Sequence, residues 1–184
     1  RLLSMDIGGT TTDIGLVENG RVAARRRGDV EGVAVSLPLC DIDSVGVGGS
    51  SIITVAQGQI KIGPESTGGA PGPACFGLGG QNATITDVFL LTGLIDPASY
   101  FGGAMSLDRA RAEAAVRENI ATPLGIDLDA ALSAMLAAWC RKVADSLARY
   151  LTRLRPAEAA ALMPRRTALL ARLFPVLRRV EAVA

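Results

Sequence analysis

Between two short apolar runs, Leu2–Ile7 and Ile14–Val17, the chain places Gly8, Gly9, Thr10, Thr11 and Thr12, with Asp6 and Asp13 on either side. This order reads as strand, tight turn, returning strand. Glycine takes positive φ without penalty and lets backbone approach a ligand closely. Consecutive N–H groups in such a turn form an anion-binding concavity, and three threonine hydroxyls add donors. A carboxylate beside a phosphate commonly carries a hard cation such as Mg²⁺. Gly8, Gly9, Thr10, Thr11 and Thr12 are therefore candidate phosphate-binding residues. Asp6 and Asp13 are candidate metal ligands and catalytic acids. The competing reading is a plain hairpin with a polar turn. No P-loop signature occurs in the chain, so phosphates would be held by a hairpin and not by a helix N-terminus.

Composition narrows the chemistry. The 184 residues suffice for one good core or two small ones. At 49% apolar residues the chain has the material for a packed fold. A net charge of +1 gives no electrostatic reason to expect nucleic acid or an acidic membrane surface as a partner. There is no histidine, which excludes a Ser-His-Asp triad and any histidine-based metal site within this chain. Cys40, Cys75 and Cys140 are widely spaced and odd in number. That pattern suggests neither a zinc site nor a disulfide framework and points to a reducing, cytoplasmic compartment. Cys75 lies in a Gly/Pro loop, but nothing in the chain resembles a histidine base to activate it. No signal peptide or membrane-spanning run is visible, and Arg1-Leu2-Leu3 enters a strand as if further chain belonged upstream.

Local patterns supply the remaining elements. Asn19-Gly20 predicts a type I′ turn joining Ile14–Glu18 to a strand over Arg21–Arg27. Residues 28–40 read as a connection with a strand-like Val33–Val35. A second glycine-rich turn, Gly46 to Ser51, follows Asp41, Asp43 and Ser44, and nothing so permissive is needed for a simple connection. Ile52–Val55, Gln57-Gly58 and Ile60–Ile62 predict a hairpin. Residues 63–80 hold seven glycines and three prolines and read as a shaped loop lying against other structure, because a long structureless loop in a compact domain is uncommon. Thr86 or Asp87 can cap a short apolar helix. Asp87 has that complete local explanation and is also carried as a third candidate catalytic acid. Ser106–Thr122 predicts a helix broken by Pro123 and Gly125. Leu128, Leu132, Met135, Trp139, Val143, Leu147, Tyr150 and Leu154 predict one long amphipathic helix, capped by Asp127 or Asp129 and ended by Pro156. Residues 157–184, with five arginines against two glutamates, form a separate Arg-rich helical tail. The domain division expected is thus 1–156 and 157–184.

Two resemblances follow from these motifs. Asp6-x-Gly8-Gly9-Thr10-x-Thr12-Asp13 resembles the phosphate motif of the actin-like ATPase superfamily. Asp41-Ile42-x-Ser44-Val45-Gly46-x-Gly48-Gly49-x-Ser51-Ile52 is similar to a block of the hydantoinase A / oxoprolinase family. So are Gly63-Pro64-Glu65-Ser66 through Cys75-Phe76-Gly77 and Gly79-Gly80, Thr84-x-Thr86-Asp87, and Phe101-Gly102-Gly103-x-Met105-x-Leu107-Asp108. The similarity runs well over residues 3–125, loosely over the long helix, and not over the tail. It implies an α/β, actin-like (ribonuclease H-like) ATPase half-domain, with an antiparallel-start mixed sheet, helices and a C-terminal helical tail. It also implies ATP and Mg²⁺ as cofactors, a cyclic amide or ketone as substrate, and other enzyme subunits or an upstream half as partners. The activity implied is ATP-dependent C–N hydrolysis of a cyclic amide. The alternatives are an ATP-using subunit of an acetone or acetophenone carboxylase and a non-catalytic assembly module. In the implied roles Asp6 orients Mg²⁺ or water, Asp13 supports the turn or the metal, Gly8–Thr12 hold phosphate, and the Gly46–Ser51 and Gly63–Gly80 loops line the cleft, with Gly46, Gly48, Gly49 and Ser51 as further cofactor-binding residues. Ser44 stands where the family has histidine and Ser50 where it has a third glycine.

Overall fold

The computed structural model describes residues 2–25, 27–30 and 32–154. The expected Arg-rich tail, and the helix stop at Pro156, lie outside the described residues. The described residues divide into two compact units. One comprises residues 2–6, 12–45 and 144–154, the other residues 7–11 and 46–143.

The first unit is built on a sheet in which β2 (Thr12–Glu18) pairs with three strands: β1 (Leu2–Ile7), β3 (Arg21–Val22) and β8 (Ile42–Val45). β8 runs antiparallel to the first half of β2, with Thr12 opposite Val45 and Gly15 opposite Ile42. β3 pairs with its last two residues, Val17 and Glu18. Asn19 and Gly20 take φ of 50° and 74°, the pair of left-handed conformations a type I′ turn requires. The return strand is shorter than Arg21–Arg27. It breaks at Ala23, whose N–H donates to Leu16 O and whose carbonyl accepts from Asp41 N. β4 (Ala24–Arg25) then pairs with β7 (Leu39–Cys40), and β5 (Gly28–Val30) forms its own hairpin with β6 (Val33–Val35). Alternation along β2 sends Ile14 and Leu16 to one face, where they pack with Tyr150, Leu3, Ala23, Leu147 and Leu154. Full burial of each such Ile or Leu contributes roughly 1.5–3 kcal/mol. Arg153 ties the end of the long helix to β8 through Asp43.

In the second unit β9 (Ser51–Ala56) and β10 (Gln59–Ser66) form an antiparallel hairpin. Its turn is Gln57-Gly58, both at positive φ. The register shifts between Ile62 and Ser66, and Ser66 lands opposite Ser51. The glycine-rich loop that follows is packed, as its composition predicts. A Cβ on Gly80 would lie 2.2 Å from Gly72 O, and one on Gly72 would lie 2.5 Å from Phe76 Cδ2. The loop delivers Cys75 to a core shared with Leu90, Leu107 and Ala112.

α1 (Ile85–Leu91) is capped by Thr84, with Asp87 completing a capping box. The N-cap therefore lies two residues before Thr86 and three before Asp87. α2 (Arg109–Val116) starts after its N-cap Asp108, which accepts from Arg111 N–H. It continues through a π turn (Arg117–Ala121) into α3 (Thr122–Leu124). Pro123 sits in that last turn, and Gly125, at φ 66°, ends the run. Asp127 caps α4 (Leu128–Thr152), accepting from Ala130 N–H. The predicted stripe is the buried face of α4: Leu132, Met135, Trp139, Val143 and Tyr150 are all buried. Among the described residues no single helix is long and apolar enough to cross a membrane.

Candidate functional site

Gly8–Thr11 is a turn closed by Gly8 N–H donating to Thr11 O at 2.9 Å. Its carbonyls are taken up by the second glycine-rich turn. Gly49 N–H donates to Gly8 O at 2.9 Å and Ser50 N–H to Gly9 O at 2.6 Å. The two turns lie so close that a Cβ on Gly48 would be 2.6 Å from both Gly8 O and Gly9 O. Only glycine permits that approach. With the carbonyls anchored, the N–H groups of Gly9, Thr10 and Thr11 have no acceptor among the described residues. Gly8, Gly9 and Thr10 are exposed and Thr11 is half-buried. Three adjacent unengaged donors at an exposed turn are what an anion-binding concavity needs.

The second turn has a different place. Gly48 N–H donates to Ser51 Oγ at 2.8 Å. Gly49 N–H goes to Gly8 O, and Ser51 N–H goes to Gly48 O at 3.3 Å. The N–H groups of Gly48, Gly49 and Ser51 are thus engaged within the protein. They serve as the backing of the first turn. Gly46 contributes by proximity to Pro64, whose Cβ would be 3.6 Å from a Cβ at this position. Thr12 is fully buried as the first residue of β2, opposite Val45, so its side chain is not presented at the turn.

Four further residues, Ser50, Ser66, Thr67 and Thr86, hold this assembly together and have no site signature in the sequence. Ser50, whose N–H supports the turn, accepts at its carbonyl from Thr67 N–H at 2.9 Å. Ser66 Oγ lies 3.1 Å from Thr10 Oγ1. Thr86 Oγ1 donates to Gly49 O at 2.8 Å, and its N–H reaches the same carbonyl. The only sequence signal was polar residues where a strand enters a glycine-rich loop, as at Ser66-Thr67, because the contacts join residues far apart in the chain.

Asp6 and Asp13 belong to the first unit. Asp6 is exposed and Asp13 half-buried. Both line one cavity of about 260 Å³, together with Ser4, Gly15, Val17, Val22 and Ile42. This is the face of the sheet opposite Ile14 and Leu16, since side chains alternate along a strand. Among the described residues no group of three or more acidic, cysteine or histidine side chains could hold a metal by itself. Two carboxylates on one open face suit Mg²⁺, which commonly takes one or two carboxylates and completes its shell with water and phosphate.

Asp87 stands elsewhere. It is fully buried. Oδ1 accepts from Cys75 N–H at 2.8 Å, and Oδ2 accepts from Thr84 N–H at 2.9 Å and Thr84 Oγ1 at 2.8 Å. Burial pushes its carboxyl above the usual range, against the hydrogen bonds from Thr84 and Cys75. All of its visible partners belong to the capping box and the Gly/Pro loop, so its observed place is that of a buried tie. Burial and the nearby Asp87 likewise raise the Cys75 thiol above its ordinary value, and a thiol held neutral is a poor nucleophile.

A family model described as hydantoinase/oxoprolinase matches residues 1–162 of the chain. The acetophenone carboxylase gamma subunit of Aromatoleum aromaticum is 42% identical over 125 residues, 66% of this chain and 17% of that protein. The caprolactamase subunit alpha of Pseudomonas jessenii is 36% identical over 131 residues, 71% of this chain and 19% of that protein. The 5-oxoprolinase of Saccharomyces cerevisiae is 38% identical over 96 residues, 52% of this chain and 7% of that protein. Among solved structures, the ATP-dependent caprolactamase of Pseudomonas jessenii superposes with a TM-score of 0.70 at 32% identity, covering 80% of this chain and 22% of that one. Nucleotide-free acetone carboxylase does so with a TM-score of 0.64 at 32% identity, covering 83% and 21%. The mixed α/β, actin-like fold class expected from the motifs is the fold of these neighbours. The chain spans less than one fifth of the length of the curated relatives it matches.

Proposed function

The chain belongs to the hydantoinase/oxoprolinase family, and from that premise we propose that it is the phosphate-holding segment of an ATP-dependent enzyme that hydrolyses the C–N bond of a cyclic amide. The observation that carries this reading is the Gly8–Thr11 turn. Its carbonyls are anchored by Gly49 and Ser50, while the N–H groups of Gly9, Thr10 and Thr11 are left unengaged among the described residues. Hydrogen bonds to a charged group contribute about 1.5–3 kcal/mol each, so three such donors are enough to orient a phosphate. Asp6 and Asp13 would hold Mg²⁺. Bound MgATP supplies a transferable phosphoryl group that makes an amide carbonyl a better electrophile. The chain's own contribution is positioning. A backing turn without side chains keeps the first turn in one conformation, so its donors need no reorganisation. Relatives that are named subunits of larger enzymes support assembly with other chains.

A second reading is an ATP-using subunit of a ketone carboxylase. The 42% identity to an acetophenone carboxylase subunit favours it. Both readings use the same phosphate turn and differ in which carbon would be activated and what would attack it: in the hydrolase water would add to the activated amide carbon, and in the carboxylase the ketone's α-carbon, after losing a proton, would attack a bicarbonate carbon activated by phosphorylation and phosphate would leave. Calorimetric titration of the purified chain with MgATP, beside Asp6→Asn, tests what they share. Saturable binding is expected, weakened at least tenfold in the variant. No binding by a folded chain sinks both. ATP turnover with 5-oxoproline and caprolactam, against acetophenone plus bicarbonate, then separates them.

A further inference from the structure

Thr10 is the one threonine of the turn whose hydroxyl is exposed and bonded to another loop. Its Oγ1 lies 3.1 Å from Ser66 Oγ, and the distance alone does not say which oxygen donates. The surrounding donors and acceptors do. Ser66 Oγ accepts from Gly68 N–H at 3.1 Å. It can donate its single proton either to Thr10 Oγ1 or to Ser50 O at 3.2 Å. Ser50 O already accepts Thr67 N–H at 2.9 Å, and Thr67 Oγ1 also reaches it at 3.2 Å. A carbonyl has two lone pairs, so Thr67 and Ser66 compete for the second. Thr67 is buried, and Ser50 O is its hydroxyl's one acceptor among the described residues. A buried hydroxyl left without an acceptor costs about 1–3 kcal/mol. Ser66 has an alternative acceptor and Thr67 has none. The arrangement that satisfies every group therefore gives the Ser50 lone pair to Thr67 and turns the Ser66 proton toward Thr10.

We propose that Ser66 is a positioning residue for the phosphate site: the chain Gly68 N–H to Ser66 to Thr10 fixes Thr10 as a donor, with its own proton aimed outward at an anion. Hydrogen bonds in series polarise one another, so Thr10 is a stronger donor than an isolated hydroxyl. The inference rests on the phosphate reading of the Gly8–Thr11 turn and adds to it the element that sets the sense of the Thr10 hydrogen bond. The Gly/Pro loop, entered at Thr67-Gly68, thereby becomes part of the phosphate site without touching the ligand.

The test is calorimetric titration of the full chain with MgATP for the parent, Thr10→Ala, Ser66→Ala, the double variant and Thr67→Val, with thermal melts to show folding. Thr10→Ala is expected to weaken binding about tenfold, the loss of one hydrogen bond to a charged group. Ser66→Ala is expected to weaken it about threefold or more, and the double variant to bind no more weakly than Thr10→Ala alone, because Ser66 acts only through Thr10. Ser66→Thr keeps the hydroxyl and restores parental affinity. Thr67→Val keeps shape but releases the Ser50 lone pair to Ser66, so it too weakens binding several-fold although Thr67 lies off the turn. That variant carries the test if Ser66→Ala does not fold. Parental affinity in both Ser66→Ala and Thr67→Val, or losses that multiply in the double variant, overturn the relay while leaving the phosphate turn intact. No saturable binding by the folded parent overturns the phosphate reading and the relay with it.

Discussion

The two glycine-rich turns of the second unit are alike in composition and opposite in use. At Gly8–Thr11 the carbonyls of Gly8 and Gly9 point into the protein and three N–H groups are left over. At Gly48–Ser51 the N–H groups point into the protein, and a Cβ on Gly48 would meet two carbonyl oxygens. Glycine at the first turn leaves backbone donors open at the surface. At the second it leaves room for the first turn. A Gly-rich segment therefore signals a close approach by something, and whether that is a ligand or the chain's own backbone is decided by where the donors go.

The sharpest way to break this contrast is to add one methyl group to each turn. Gly48→Ala forces a Cβ against backbone oxygens that cannot yield, and is expected to cost about 3 kcal/mol or prevent folding, read as a fall in the denaturant midpoint. Gly9→Ala places its Cβ 3.5 Å from Ser50 Oγ, an ordinary contact at a residue whose φ is not positive. Its stability change is expected to stay within about 1 kcal/mol. Equal losses at both positions would erase the contrast between the two turns.

Asp87→Ala ranks next. It strands the buried donors Cys75 N–H, Thr84 N–H and Thr84 Oγ1, and is expected to cost about 2–3 kcal/mol in urea unfolding. The same residue gives a pH signature. Its folded carboxyl is raised, with burial the leading cause. A group raised on folding contributes stability that is fully present below its unfolded value, about 4 for a carboxyl, and is lost as pH rises through the folded value. Relative to Asp87→Asn, the parent should therefore lose stability as pH rises above about 4. A parallel pair of stability curves would contradict this. Asp6→Asn carries no such burden, since Asp6 is exposed. Its melt should match the parent while its MgATP affinity falls. The smallest effect is expected at Arg25–Asp41, an ion pair with both partners substantially exposed. Removing either charge should move the midpoint by less than about 1 kcal/mol, and less still in high salt.

How much of this was legible beforehand depended on range. Asn19-Gly20 and Gln57-Gly58 announced their hairpins because a type I′ turn is set by the conformational freedom of two adjacent residues. The α4 stripe was legible because one face of a helix repeats at fixed spacing. Asp127 was one of two residues expected to cap α4, and Asp87 was expected as a cap or first-turn acid of α1, whose N-cap is Thr84. Where the reading fell short, a non-local partner decided. The strand expected over Arg21–Arg27 breaks at Ala23 because Leu39–Cys40, not β2, pairs with Ala24–Arg25. Ser66 and Thr67 went unnoticed because their partners, Thr10 and Ser50, are 56 and 17 residues away.

The sequence by itself determined the family, the turn at Gly8–Thr11 and the buried stripe of the long helix. Each of these rests on residues within a few positions of one another, or on motif blocks in order. Only the tertiary structure decided which of two similar turns keeps its donors, which face of the sheet carries Asp6 and Asp13, and which hydroxyl Ser66 serves. The physical reason is that a hydrogen-bond donor has one proton and a carbonyl two lone pairs. Their allocation is settled by whatever the fold brings within reach, and composition holds no record of that.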